Sequence, residues 1–272
     1  MLMNKERILT YMKQSARKAG ALMMANLSGG YQVYTKPDRS RVTDVDLAIS
    51  DMLQQTLPKA LPGVALYSEE SPKRTIDRGK AYLIADELDG TSYFIDYQKG
   101  FSHQAAFYDP SEGLVAGLVY HPDIEVMLYA VKGGGAYWER GGSGAERIPA
   151  PVVKARHDLC FAHPMRYRGD KYRGLYLALG GREENILRTD ARRTLLMAEG
   201  KLDVNIFLSP RIPYWDLLGE KVIVEELGYS HSYLDGSPVQ FGIDPPAGNK
   251  GYLICPATYK GALIKETHAH IS

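Results

Sequence analysis

The chain has 272 residues, with 33 Lys and Arg against 32 Asp and Glu for a formal net charge of +1, and 44% of its residues are hydrophobic. Charge this balanced gives no general reason to bind nucleic acid or an anionic membrane, both of which usually require a basic excess, and no window approaches the ~20 apolar residues of a membrane span. Two cysteines in unrelated contexts, Cys160 and Cys255, exclude a disulfide framework and a zinc spacing, and Lys5, Glu6, Arg7, Lys13, Arg17 and Lys18 interrupt any signal-peptide core, so a cytoplasmic protein is expected.

Between residues 4 and 27, Ile8, Met12, Ala16, Ala19, Met23 and Leu27 recur at spacings of 4, 4, 3, 4 and 4, which predicts an amphipathic helix. A second helix follows a polar stretch, with Thr43 as its N-cap and Asp46 three residues later in a capping box. After Pro62-Gly63, short apolar runs at 64–67, 82–85, 104–108, 114–120 and 126–131 read as strands. Gly133-Gly134-Gly135 precedes the strand-like Ala136-Tyr137-Trp138, so it reads as a turn and not as a phosphate loop.

Pro149-Ala150-Pro151 marks the expected boundary between an N-terminal α+β part, residues 1–150, and a C-terminal α/β part, residues 151–272. In the latter, helices are expected at 172–179, 191–199, 215–227 and 259–267, with strands at 202–207 and 252–255.

The most informative stretch is Ile84-Ala85-Asp86-Glu87-Leu88-Asp89-Gly90-Thr91. An apolar strand runs into three closely spaced acids, then a glycine and a hydroxyl residue. Such acids repel one another unless water or a cation neutralises them. A polar turn is the bland alternative. Ser68-Glu69-Glu70 repeats the pattern of a strand ending in carboxylates, and Trp215-Asp216 sets an acid at the start of an expected helix. Each also has a plain reading, a solvated strand end for the first and a helix-dipole acid for the second. Together with Asp46 they supply acids at several element ends, without a histidine or cysteine cluster. An all-oxygen set suits Mg²⁺ or Mn²⁺, and two or more such cations suit phosphoester hydrolysis. Gly90 and Thr91 fit that chemistry, because backbone N–H groups at a helix start bind phosphate oxygens.

At this point the chain resembles the inositol monophosphatase superfamily of magnesium-dependent, lithium-sensitive phosphatases. The resemblance is carried by Asp86-Glu87-Leu88-Asp89-Gly90-Thr91 with Phe94, Ser68-Glu69-Glu70, the segment Val42 to Asp46, and Trp215-Asp216, in that family's order. It implies a layered α-β-α-β-α sandwich of the inositol monophosphatase and fructose-1,6-bisphosphatase type, with mixed α+β and α/β character. It further implies that Glu69, Asp86 and the Leu88 carbonyl hold one Mg²⁺, that Asp86, Asp89 and Asp216 hold a second, and that Glu69 with water holds a third. Thr91, paired with Asp46, would orient and help deprotonate the attacking water, and the N–H groups of Gly90 and Thr91 would grip phosphate. A homodimer is implied by the resemblance alone.

Four departures bear on the substrate. Glu87 stands where the family has proline, either facing solvent or adding a carboxylate beside the metals; Ser68 replaces glycine, a mild change. Arg188, Arg192 and Arg193 occupy a segment where the family has small residues, and form either a solvated face or a reader of a second anionic group. Ser209 stands where the inositol phosphatases place an acid for a sugar hydroxyl. The leading reading is a Mg²⁺-dependent phosphatase of a small metabolite, an inositol or sugar phosphate. The alternatives are a 3′(2′),5′-bisphosphate nucleotidase and a non-catalytic regulatory member of the family.

Overall fold

The computed structural model describes residues 4–71, 75–164 and 171–271. The chain forms two compact units, Met1–Arg147 with Pro213–Ile223, and Ile148–Ile212 with Val224–Ser272. Among the described residues no helix is long and apolar enough to cross a membrane.

The first unit begins with helix α1 (Lys5–Gly29), whose N-terminal N–H groups of Glu6 and Arg7 are capped by the Asn4 side chain. Its apolar stripe of Ile8, Met12, Ala16, Ala19 and Met23 is fully buried. A short hairpin of β1 (Val33–Thr35) and β2 (Arg41–Thr43) leads into helix α2 (Asp44–Ala60). The expected capping box is present, with Thr43 and Asp46 each satisfying the other's backbone N–H.

These helices pack on a seven-stranded sheet, in sequence order throughout, of β3 (Ala65–Ser68), β4 (Tyr82–Asp89), β5 (Ser102–Asp109), β6 (Gly113–His121), β7 (Val126–Val131), β8 (Gly135–Arg140) and β9 (Glu146–Arg147). Only the β3–β4 pair is parallel, and the rest is an antiparallel meander. Leu53, Leu83, Phe94, Phe101, Phe107 and Leu118 lie at the centre of its core, all fully buried.

Strand β4 runs four residues beyond the 82–85 read from apolar patterning, because pairing with β5 continues through Asp86 and Asp89. The acids therefore belong to the strand and not to a turn after it. Between them the register shifts by a bulge, then Gly90 turns the chain at φ +82° into a short helix, α3 (Thr91–Tyr97), which apolar periodicity did not reveal.

Sequence order assigned Trp215-Asp216 to the C-terminal part, but Pro213–Ile223 packs with the first unit. Two glycines permit it. A Cβ on Gly117 of β6 would lie 2.4 Å from the Gly219 carbonyl oxygen and 2.9 Å from Val222 Cβ, and one on Gly219 would lie 3.0 Å from the Leu118 carbonyl oxygen. Backbone thus rests nearly on backbone, and the Trp215 ring sits 5.7 Å from that of Tyr67. Gly117→Ala is expected to cost about 1–3 kcal/mol by overpacking, and to weaken metal binding by displacing the segment that carries Asp216. Urea unfolding and metal titration of that variant check both effects.

The second unit pairs β10 (Phe161–Pro164) in parallel with β11 (Ile186–Thr189). Its other sheet is antiparallel, of β12 (Asn205–Phe207), β13 (Tyr229–Tyr233) and β14 (Tyr252–Pro256) in the order β12-β14-β13. Helices α4 (Lys171–Ala178), α5 (Arg193–Ala198) and α7 (Lys260–Ile271) belong to this unit. Helix α6 (Leu218–Glu226) is preceded by a 3₁₀ turn, Tyr214–Asp216, so the helix expected from residue 215 starts later. The turn follows from i→i+3 bonds of Asp216 N–H to Pro213 and of Leu217 N–H to Tyr214. Phe161, Leu175, Tyr176, Ile206, Leu253 and Leu263 form the second core.

Candidate metal centre

Three elements of the first unit each deliver one acid. Glu69 directly follows β3, where its N–H extends the parallel pairing by bonding the Ala85 carbonyl at 3.3 Å. Asp86 lies in β4 and is 3% exposed, and Asp216 ends the 3₁₀ turn. One carboxylate oxygen of each lies within 4.8 Å of the others. Burial, then repulsion from Glu69, Asp89, Asp216 and Glu87, pushes the Asp86 carboxyl well above the usual carboxylate range. Burial raises Glu69 as well, against the opposing pull of Lys36. An all-oxygen cluster that destabilises its own charge in this way fits a hard divalent cation.

Lys36, which sequence reading passed over as part of a polar stretch, donates to Glu69 at 2.6 Å and to Glu70 at 2.5 Å. Burial alone would lower its pKa, yet these two partners raise it, so it is a fixed cation at the edge of the cluster. Asp89 ends β4. It is not one of the three converging carboxylates; its Oδ2 accepts from Gln104 Nε2 at 2.6 Å and from Ser102 Oγ at 3.1 Å. Leu88 donates its N–H to Asp86 Oδ1 at 3.0 Å, and its carbonyl accepts from Thr91 Oγ1 at 3.0 Å.

Asp46 and Thr91 are adjacent. Asp46 Oδ2 accepts from the Thr43 N–H and hydroxyl at 2.8 and 2.5 Å, which leaves Oδ1 at 3.4 Å from Thr91 Oγ1. Burial pushes the Asp46 carboxyl up to about 6 despite the Thr43 bonds. A carboxylate with that value gives and takes protons readily near neutral pH.

Glu87 corrects one expectation. It does not face solvent: it is 1% exposed, and neither carboxylate oxygen has a hydrogen-bond partner of ordinary geometry. Burial pushes it up to about 7, moderated by the nearby Ser68 and Ser50 hydroxyls. Beside it, His103 on β5 is fully buried, and its Nδ1 lies 3.1 Å from the Glu87 carbonyl, which can accept its N–H. Burial lowers the His103 pKa from 6.5 to about 4. The unfolded chain therefore binds this proton first as the solution is acidified. The stability held above pH 6.5 falls as pH drops through about 4, by roughly 3 kcal/mol in total. Urea unfolding at pH 7 and pH 4 is expected to show that difference shrinking in His103→Gln.

In the second unit, Arg192 is committed to Asp190 by bonds from Nε at 3.1 and 3.0 Å and a further one from its terminal nitrogen. Arg188 is exposed on β11, and Arg193 begins α5. The Ser209 hydroxyl donates to the Arg211 carbonyl at 3.0 Å.

Ser102 and Gln104 were also missed. Their signal was present, as polar residues two apart just ahead of the apolar run Ala105-Ala106-Phe107.

Strand-end carboxylates, a glycine turn and an acid–hydroxyl pair are thus gathered in the first unit, and its three converging acids could hold a metal ion. The chain belongs to the Inositol monophosphatase family, whose model matches residues 4–272. It is accordingly an enzyme of the metal-dependent phosphomonoesterase class. It is similar to the histidinol-phosphatase of Mycobacterium tuberculosis, 28% identical over 212 residues that cover 75% of this chain and 78% of that one. It is also similar to the 3′(2′),5′-bisphosphate nucleotidase CysQ of Escherichia coli strain K12, 27% identical over 245 residues, or 89% and 96%. An IMPase/NADP phosphatase solved with Mg²⁺ and phosphate shares the fold, at TM-score 0.73 and 19% identity over 95% of this chain and 92% of that one.

Proposed function

We propose that the protein hydrolyses the phosphomonoester of a small metabolite, an inositol or sugar phosphate, using Mg²⁺. The observation that carries this reading is the convergence of Glu69, Asp86 and Asp216 within 4.8 Å. In this reading Glu69, Asp86 and the Leu88 carbonyl would hold one Mg²⁺, Asp86, Asp89 and Asp216 would hold a second, and Glu69 with water would hold a third. When bound, Mg²⁺ supplies positive charge against the phosphoryl oxygens and lowers the pKa of water.

The chain's own residues do the remainder. Thr91 Oγ1 receives a proton from the attacking water as its own passes to Asp46 Oδ1, the acceptor 3.4 Å away. Thr43 keeps Asp46 Oδ2 occupied, so Oδ1 is the carboxylate oxygen left to take that proton. The N–H groups of Gly90 and Thr91 meet the phosphate oxygens at the start of α3.

Similarity to CysQ over 89% of the chain favours a second reading with the same chemistry, hydrolysis of a 3′(2′),5′-bisphosphate nucleotide. Phosphate release with Mg²⁺ from inositol 1-phosphate, fructose 1,6-bisphosphate, adenosine 3′,5′-bisphosphate and histidinol phosphate separates these readings. Fastest turnover of inositol 1-phosphate or of the sugar phosphate supports the first reading. Preference for the nucleotide supports the second. Preference for histidinol phosphate overturns both.

A further inference from the structure

We propose that Gln104 and Ser102 are positioning residues that hold Asp89 as a one-oxygen metal ligand. The inference rests on the metal reading above and concerns the strand beside the ligands. Asp86 and Asp89 are three residues apart, a spacing that in a regular strand puts side chains on opposite faces. The register shows how this is overcome. Asp86 pairs with Gln104 and Asp89 with Ser102, so three steps along β4 match two along β5. The extra residue of the bulge returns Asp89 to the face that Asp86 shares with Ser102 and Gln104.

On that face both donors reach the same atom. Gln104 Nε2 is 2.6 Å and Ser102 Oγ 3.1 Å from Asp89 Oδ2, so the electron pairs of Oδ1 are left for another partner. The orientation of the Gln104 amide is forced, since the flipped form would set its carbonyl oxygen against a carboxylate. Gln104 is 1% exposed and Ser102 fully buried, and Gln104 Oε1 has no hydrogen-bond partner. A glutamine that buries an unsatisfied carbonyl in order to present one N–H to an acid is poorly explained by packing, which an apolar residue of similar size would serve better. Fixing a ligand's orientation explains it.

The test uses Tb³⁺, an oxygen-seeking cation, excited through the protein's tyrosines. Its affinity is read by titration, and the number of waters on the bound ion by luminescence decay in H₂O and D₂O. Gln104→Leu is expected to bind Tb³⁺ about 10–100-fold more weakly, with one water more on the ion. Ser102→Ala is expected to shift in the same direction by a smaller factor, and Ser102→Thr, which keeps the hydroxyl, to restore binding. Thermal unfolding of the metal-free proteins separates loss of the fold from loss of the ligand, and Ser102→Ala keeps the test open should Gln104→Leu not fold. Unchanged affinity and water number in folded Gln104→Leu, or in Ser102→Ala, overturn this inference alone. Failure of the unsubstituted protein to bind Tb³⁺ overturns it together with the metal reading.

Discussion

Asp86→Asn is expected to lower kcat/KM for the preferred phosphomonoester by at least ~100-fold, the upper end of what loss of a group supporting a metal site costs. It is expected at the same time to raise the melting temperature of the metal-free protein. The two effects share one cause. Asp86 is 3% exposed and faces Glu69, Asp89 and Asp216, so its charge opposes folding until a cation neutralises it. Asparagine keeps the shape and removes the charge, which relieves the repulsion and discards the ligand. Calorimetry with EDTA and then with excess Mg²⁺ checks the pairing. The variant should be the more stable protein in EDTA and should gain less than the parent from Mg²⁺. A variant that loses stability in EDTA would show that the acids are not in conflict.

Thr91→Ala is expected to reduce kcat by ~100-fold or more, within the range for loss of a positioned proton-transfer group, while KM and stability change little. Thr91→Ser should retain most activity, because the hydroxyl is the working part. Asp46→Asn should match the alanine variant in kcat. The double variant should fall no further than either single one, since Thr91 and Asp46 act as one relay. Asp46 has a second duty as the capping-box residue of α2, so Asp46→Ala should also cost about 1 kcal/mol of stability. Steady-state kinetics combined with urea unfolding separates the two roles. Full additivity of the kinetic losses would contradict the relay.

Much of the frame was legible because it depends on local rules. The spacing of Ile8, Met12 and Ala16 marked α1, and Thr43 with Asp46 marked both the start of α2 and half of the acid–hydroxyl pair. The alternation of strands β3 to β8 could be read from apolar runs between turn residues. Non-local features were hidden. Strand β4 reaches Asp89 only because β5 supplies partners for its backbone, and the bulge that sets Asp89 beside Ser102 exists only in that pairing. Strand β13 reads Tyr-Ser-His-Ser-Tyr, too polar to stand out, and is fixed by pairing with β14. Asp216 joins the first unit through the close approach of Gly117 and Gly219, a contact between positions 102 residues apart. Glu87 follows the same logic. Composition favours an exposed glutamate, but its place between Asp86 and Leu88 in β4, a strand flanked by β3 and β5, leaves it buried.

The central claim is that these acids serve a cation that the reaction requires. It is tested most directly by phosphate release from the preferred substrate in the panel, first after removal of metal with EDTA and then as Mg²⁺ is returned. The account predicts no turnover in EDTA, recovery that saturates with Mg²⁺, and no recovery in Asp86→Asn over the same range. Turnover that persists in EDTA, or that Asp86→Asn supports as well as the parent, would contradict it.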